Sequence, residues 1–445
     1  MKDRDLQKRT VIVIGAGMAG MAAARQLTLA GLQVTVLEKN SYVGGRVHTN
    51  VVDDFEVDAG AQFLTNFYTN TRHLIRELGL QDDLIPIPTG VAITHRRRLY
   101  KLSNNLSLIF TSLITWRSKL ILLKTLVPLL GHWQQLDTHA FYKAYPLDTR
   151  PLAEYARQEL NDELLEYVLQ PPLSGIFYWT PEHTSQALLF LLFKAGLGMK
   201  LLTLRHGLGQ LSEAMATNLL VQYNTEIISI FPNQTTGYTI QAYVNGQNSQ
   251  FSADGIVCAI PATRVSALLP SLNTKQRAFF EAISYSTTVT SNIGLDHRVP
   301  ADFYGMFCPR REIEYLAAAS VQSAKNREQI PAGRDLLQLF SSGPAGRDLL
   351  DKDDATIHAK LLADLQLAGF PYDLGGQRLF SLVYRWPEAL PEFDVGHFMR
   401  LKAFADGEIE SGSIVFAGDY LGGPFIEGAI TSGLEAAQRL LHRLS

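Results

Sequence analysis

The chain has 445 residues, 46% of them hydrophobic and 19% charged, with a formal net charge of −3. That balance offers no basic surface to nucleic acid, and two cysteines, Cys258 and Cys308, leave no disulfide framework and no CxxC redox pair. The length exceeds one core and predicts two or three domains at roughly 150 residues each. The charged start, Met1 to Arg9, runs straight into an apolar stretch; this predicts no cleavable signal peptide and a cytoplasmic setting.

Val11 to Ile14 is a continuous run of β-branched residues and predicts a buried strand. Gly15, Gly17 and Gly20 follow at dinucleotide-fingerprint spacing. The alanine-rich stretch Met21 to Ala30 predicts a helix stopped by Gly31, and Val34 to Leu37 predicts the next strand. In that context Gly15 permits the tight strand-to-helix turn and Gly17 lets backbone approach a pyrophosphate at the helix N-terminus. Gly20 lets helix and strand pack closely. Glu38 falls where a carboxylate takes both ribose hydroxyls of an adenosine and repels a 2′-phosphate. Gly44-Gly45-Arg46 comes directly after it: two glycines again let backbone approach phosphate, and Arg46 can pair with it bidentately.

Between these elements and the next block lies a markedly apolar stretch, Leu106 to Trp133. Arg117, Lys119 and Lys124 interrupt it, so no window reaches the ~20 clean apolar residues of a membrane-spanning helix. Leucines interleaved with tryptophan and basic residues suit an interfacial helix, or buried helices lining a pocket. Leu188 to Phe193 reads as core. A second block opens at Arg205-His-Gly207-Leu-Gly209. Thr225 to Ile230 and Tyr238 to Val244 then alternate like half-buried strands, and Asn245-Gly246 signals a hairpin turn. Asp254 to Pro261 predicts another strand. Ile414 to Ala417 predicts the last one, with Gly418-Asp419 at its carboxyl end. Gly422-Gly423-Pro424 then turns the chain into a helix starting near Glu427, whose N-terminus presents free N–H groups and partial positive charge.

The opening block, Gly44-Gly45-Arg46 and Asp58-Ala-Gly60-Ala61-Gln62-Phe63 together resemble the flavin-containing amine oxidase superfamily, which includes monoamine oxidases, protoporphyrinogen oxidases and carotenoid desaturases. The resemblance covers nearly the whole chain. It implies an α/β fold: a Rossmann-type FAD-binding domain of the glutathione-reductase/amine-oxidase type, interleaved with an α+β substrate domain. The first would comprise 1–85, 205–285 and 395–445. The second would comprise 86–204 and 286–394, with a membrane-facing helical part at 106–133. FAD is implied, held noncovalently, since no cysteine lies near the closing block to form a cysteinyl link. Implied contacts are Gly15, Ala16, Gly17, Met18, Ala19, Gly20, Glu38 and Lys39 at the opening, then Gly44, Gly45 and Arg46. Gly60, Ala61, Gln62 and Phe63 would form a turn under the flavin ring, with Ile227 further on. In the closing block Gly418, Asp419, Ile426, Glu427 and Ala429 complete the set. Asp419 would hold a ribityl hydroxyl or a phosphate-linked water, and the helix behind it would face the flavin N1–C2=O edge.

Three segments are similar to the protoporphyrinogen-oxidase side of the superfamily: Pro172 to Phe177, Ile283 to Leu295, and Arg385-Trp386 through Gly396-His397. Two features depart from it. Gly422 to Ala429 is closer to amine oxidases and carotenoid-type desaturases. The lysine that amine oxidases place on the strand aligned with Tyr285 to Gly294 is missing; Thr290 stands near that position. No second GxGxxG module occurs, so NAD(P)H is not expected as the reductant. The resemblance therefore implies an enzyme oxidising a small hydrophobic substrate, protoporphyrinogen oxidase-like, with oxygen or a quinone as acceptor. Amine or amino-acid oxidation, desaturation or tailoring in a natural-product or lipid pathway, and a flavin-binding scaffold remain open. No catalytic base and no metal is implied. Pocket candidates are the aromatic residues Tyr178, Tyr384, Trp386 and Phe425. Arg385 could pair with a substrate carboxylate or serve as a structural ion pair, and His397 reads as a hydrogen-bonded structural histidine.

Overall fold

The computed structural model describes residues 9–88, 90–102, 110–233, 237–372, 374, 377–410 and 412–445. Residues 106–109 of the apolar stretch expected to face a membrane lie outside them.

Val11 to Ile14 forms the middle of a five-stranded parallel sheet, ordered Leu220–Gln222, Gln33–Leu37, Thr10–Ile14, Gly255–Cys258 and Ile414–Phe416. A strand covered on both faces must be apolar at every position. Val11 and Val13 point into a core shared with the helices Met18–Leu29 and Ile426–Leu444. Ile12 and Ile14 point the other way, toward Phe279, Phe280 and Phe416. The helices thus leave the carboxyl edge of the sheet clear. An antiparallel sheet, Thr225–Pro232, Tyr238–Val244 and Gln247–Ala253, follows. Its Asn245-Gly246 turn has φ of 49° and 80°, as a two-residue type I′ hairpin requires.

The larger sheet has seven strands, in the order Arg378–Trp386, Thr288–Leu295, Asp335–Ser341, Leu316–Val321, Gly305–Phe307, Val91–His95 and Arg98–Leu102. The strands Thr288–Leu295, Leu316–Val321 and Asp335–Ser341 are buried throughout. The helix Asp354–Leu367 covers one face through Ile357, Leu361 and Leu365. On the other, the helix Gln170–Phe177 comes so close that a Cβ on Gly175 would meet Phe307 and Ala318. A π-helical turn, Leu165–Leu169, precedes that helix. Pro171 and Pro172 lack the N–H groups that would close α-helical bonds there, which favours the wider turn.

The apolar stretch is not one interfacial helix. It forms two short helices, Trp116–Lys124 and Leu126–Gly131, with Leu113, Ile114 and Leu129 buried and Trp116, Leu120, Leu123, Val127 and Leu130 exposed. Among the described residues no helix is long and apolar enough to cross a membrane.

A fully buried ion pair ties the strand Phe55–Asp58 to the seven-stranded sheet. Lys325 Nζ lies 2.6 Å from Asp58 Oδ2, on the short helix that follows Leu316–Val321. The second carboxylate oxygen accepts from Thr49 Oγ1 at 2.7 Å and Leu208 N at 2.9 Å. Removing one partner leaves the other charge buried and unpaired. Lys325→Met is therefore expected to lose about 3–5 kcal/mol of stability in urea unfolding. The double variant Asp58→Asn/Lys325→Met should lose less than the single, because no lone charge remains.

Candidate functional site

A cavity of about 1230 Å³ runs from the carboxyl edge of the parallel sheet to the face of the seven-stranded sheet. It exceeds the roughly 300–1,000 Å³ of sites that hold one drug-sized molecule, which leaves room for a dinucleotide and a second ligand. The crevice outside the carboxyl ends of parallel strands is also where open α/β sheets bind ligands.

The nucleotide end is lined by Gly15, Gly17, Met18, Ala19, Glu38, Lys39, Gly44, Gly45, Arg46 and Ile227. Gly60, Ala61, Gln62, Phe63, Gly418, Asp419, Ile426 and Ala429 line it further in. The helices Met18–Leu29 and Ile426–Leu444 both start at its wall, and neither N-cap, Gly17 or Phe425, supplies a side-chain cap. Their first N–H groups are thus free for an anionic or carbonyl ligand. A Cβ on Gly17 would meet nothing within 4 Å, although its φ of −71° would suit any residue. The protein leaves that space open beside a helix N-terminus, which fits a pyrophosphate. Glu38 is 7% exposed and is fixed by Ala16 N at 2.7 Å and Asn40 N at 2.8 Å. Arg46 Nη2 stands 3.0 Å from Asp419 Oδ2 and Arg46 Nη1 donates to Ala389 O at 2.6 Å, so the two expected contacts hold each other.

Three expected cofactor contacts do not line the cavity. Ala16 lies beneath it and orients Glu38 through its N–H. Gly20 packs under the turn; a Cβ there would stand 1.9 Å from Gly15 O. Glu427 turns away. Its carboxylate caps the helix Thr69–Glu77, accepting from Asn70 N at 2.8 Å, Thr71 N at 2.8 Å and Thr71 Oγ1 at 2.7 Å.

The far end of the cavity is formed by Val168, Leu169, Pro172, Leu173, Ile176 and Phe177, by Leu188, Leu189 and Leu192, and by Thr290, Tyr304, Met306, Phe307, Ala318 and Phe340. Of the pocket candidates, Tyr178, Trp386 and Phe425 line the cavity. Burial raises the Tyr178 phenol above its ordinary range, so it stays neutral. Trp386 Nε1 donates to Ala59 O at 3.1 Å, and Phe425 packs against Phe67, Phe141 and Phe177. Tyr384 does not reach it; Asn50 Nδ2 donates to its hydroxyl at 2.6 Å. Arg385 touches the wall, but its guanidinium points outward to Leu350 O, Lys352 O and Asp354 Oδ1. It is a structural ion pair rather than a free cation for a substrate. Tyr304, Met306, Phe307, Ala318 and Phe340 escaped the sequence reading. The strands of Ala318 and Phe340 are buried at every position, so no alternation marks which side meets the cavity, and Gly305–Phe307 is too short to show one. Among the described residues no group of His, Cys, Asp and Glu could hold a metal ion.

His397 is fully buried away from the cavity, with Nε2 3.1 Å from Tyr420 O. Burial pushes its pKa down from 6.5 to about 3, with Arg400 adding to the effect. The folded chain thus keeps it neutral while the unfolded chain protonates it near 6.5. Its contribution to stability is intact above that pH and is lost as pH falls toward 3, at up to about 1.4 kcal/mol per pH unit. His397→Gln should flatten the acid limb of a stability–pH curve measured by urea unfolding between pH 6.5 and pH 4.

The geometry has counterparts. The chain is 22% identical to coproporphyrinogen III oxidase of Bacillus subtilis over 95% of this chain and 94% of that protein. It is also 22% identical to the mitochondrial protoporphyrinogen oxidase of Nicotiana tabacum, over 100% and 97%. A structure of putrescine oxidase bound to putrescine superimposes with a TM-score of 0.77 at 19% identity, covering 98% of this chain and 99% of that one. The family described as flavin containing amine oxidoreductase matches residues 18–441. The chain belongs to that family: it is an oxidoreductase that uses a flavin.

Proposed function

We propose that this protein is an FAD-dependent oxidase or dehydrogenase acting on a large hydrophobic substrate, protoporphyrinogen oxidase-like, with oxygen or a quinone as the acceptor. One observation carries the reading: a single cavity joins two uncapped helix N-termini and a ribose-type carboxylate to an apolar chamber. When bound, FAD supplies a two-electron acceptor for a C–H or N–H bond.

The chain's own residues bind, orient and exclude water. Glu38 would take the adenosine ribose hydroxyls, and the N-terminus of Met18–Leu29 the pyrophosphate. The turn Gly60 to Phe63 is held from behind by Asp58, Lys325 and Trp386, and would support the ring. The N-terminus of Ile426–Leu444 aims partial positive charge at the same region, where a water-poor wall strengthens it. Thr290, facing the chamber, offers a hydroxyl and no base, which favours carbon-centred oxidation over amine oxidation. We assign the nucleotide domain to 1–85, 205–285 and 395–445, and the substrate domain to 86–204 and 286–394. The exposed face of Trp116, Leu120, Leu123, Val127 and Leu130, beside Arg117, Lys119 and Lys124, supports peripheral contact with an anionic membrane.

Anaerobic mixing tests the function. Protoporphyrinogen should bleach the flavin band of the purified protein, and admitting air should restore it as porphyrin fluorescence appears. Bleaching by amines alone would place the protein on the amine-oxidising branch, and no bleaching by either would refute the substrate. Acid-denatured protein should release its flavin to the supernatant; flavin in the pellet would refute noncovalent binding. In liposome flotation, Leu120→Asp/Leu123→Asp should abolish binding to anionic vesicles, and failure of the unaltered protein to float would refute the membrane contact.

A further inference from the structure

The charges in the cavity wall are unevenly placed. The charged residues lining it, among those described, are Glu38, Lys39, Arg46, Glu226, Arg264, Arg385, Glu388 and Asp419. All have partners within the protein. Lys39 pairs with Glu226 at 2.8 Å, Arg46 with Asp419 at 3.0 Å, Arg264 with Glu388 at 2.9 Å and Arg385 with Asp354 at 2.7 Å, while Glu38 accepts from Ala16 and Asn40. They sit on the nucleotide strands, on the segments next to them, or with their heads turned outward. The chamber beyond, between the strands carrying Thr290, Met306 and Ala318 and the helices carrying Ile176 and Leu188, has no charged side chain in its wall among the described residues. The polar residues there, Thr288, Thr290, Tyr178, Tyr304, Ser320 and Gln62 among them, carry hydroxyl or amide groups and no charge. Phe193 and Met199 line the same cavity and are 38% and 45% exposed, so the chamber meets solvent beside them.

We infer that the chamber accepts only a substrate whose inserted end is uncharged, and that molecules charged at every end are excluded. The inference rests on the flavin-site reading above and adds the substrate's charge pattern to it. An ammonium or carboxylate in this chamber would lose its water and meet no counter-ion, a cost of several powers of ten in affinity. A diamine such as putrescine must bury one charge whichever end enters. A macrocycle with carboxylates on all sides, such as coproporphyrinogen, meets the same barrier. A macrocycle with both carboxylates on one edge does not, because that edge can remain at the solvent side by Phe193 and Met199. A neutral end carrying hydroxyls or carbonyls loses far less hydration than an ion, and the hydroxyls of Tyr178 and Thr290 stand in the wall to meet it.

Two-ended probes of equal length test this without turnover: 1,10-decanediol, 1,10-diaminodecane and decanedioate, titrated at pH 7 into the flavin-loaded protein. The shift of the flavin band reports occupancy near the ring, and tryptophan emission, to which Trp386 at the cavity wall contributes, reports binding independently. The diol is expected to bind at least about 100-fold more tightly than either charged probe. Comparable affinity of the diamine or the dicarboxylate would overturn the inference, as would a diol that fails to bind. Protein that purifies without flavin would refute the cofactor reading instead, and the tryptophan signal would still decide the charge preference.

Discussion

The pair of Asp58 and Lys325 joins the two halves of the cavity. Asp58 and Ala59 lead into the turn Gly60 to Phe63, which lines the cavity from the nucleotide side. Lys325 follows the strand whose Ala318, Ala319 and Ser320 line it from the other side. Contacts to main-chain carbonyls complete the clamp: Gln338 Nε2 donates to Asp58 O at 3.1 Å and Trp386 Nε1 to Ala59 O. Replacing such a pair by well-packed apolar residues is often neutral or stabilising, so its worth lies elsewhere than in raw stability. Two opposite charges sealed from water tolerate one relative placement, since any slip exposes an unsatisfied ion. That fixes the wall of the nucleotide end against the wall of the chamber, and a reaction between two ligands depends on that spacing.

The electrostatics divide along the same line. The nucleotide end collects two helix N-termini, the ribose-type carboxylate and closed ion pairs. The far end is left to van der Waals contact and hydroxyls. Where water is excluded, partial charges act more strongly than in solvent, and both helix N-termini lie at this one end of the cavity. The same enclosure makes a lone ionised group on the substrate side expensive. Exclusion of water acts on both ends in the same direction: it strengthens the pull of the helix termini and raises the cost of an unpaired charge.

The opening motif was legible because each local feature has one geometric solution. An apolar β-branched run, three spaced glycines, an alanine-rich helix and a terminal acid leave little freedom, and Glu38 and Gly17 stand where that reasoning puts them. The Glu427 carboxylate stands off the cavity for a helical reason. Ile426 and Ala429 are three residues apart and share the face at the cavity, while Glu427 lies about 100° round the helix and meets the start of Thr69–Glu77 instead. Tyr384 and Trp386 are two apart on one strand, so pattern alone treats them alike. Asn50 holds the hydroxyl of the first, whereas the second ends the strand and reaches the cavity. The chamber itself was out of reach of sequence reasoning. Strands buried on both faces carry no alternation, and only the packing of Gln170–Phe177 against Phe307 and Ala318 decides which residues line the void.

Selectivity in such a chamber has a definite shape. Apolar walls distinguish neutral shapes weakly, by about 1–3 kcal/mol for each missing methylene, because a poorly filled wall loses only dispersion and transfer energy. Against charge the wall is steep, since there is no counter-ion and no water to replace the lost hydration. Thr290 sharpens the contrast. On a strand buried at every position, a lysine there would bring an ionisable head into the chamber and would need solvent or a carboxylate beside it; a threonine needs neither. Thr290 therefore leaves the wall uncharged, on a strand that the Asp58–Lys325 clamp holds against the nucleotide end.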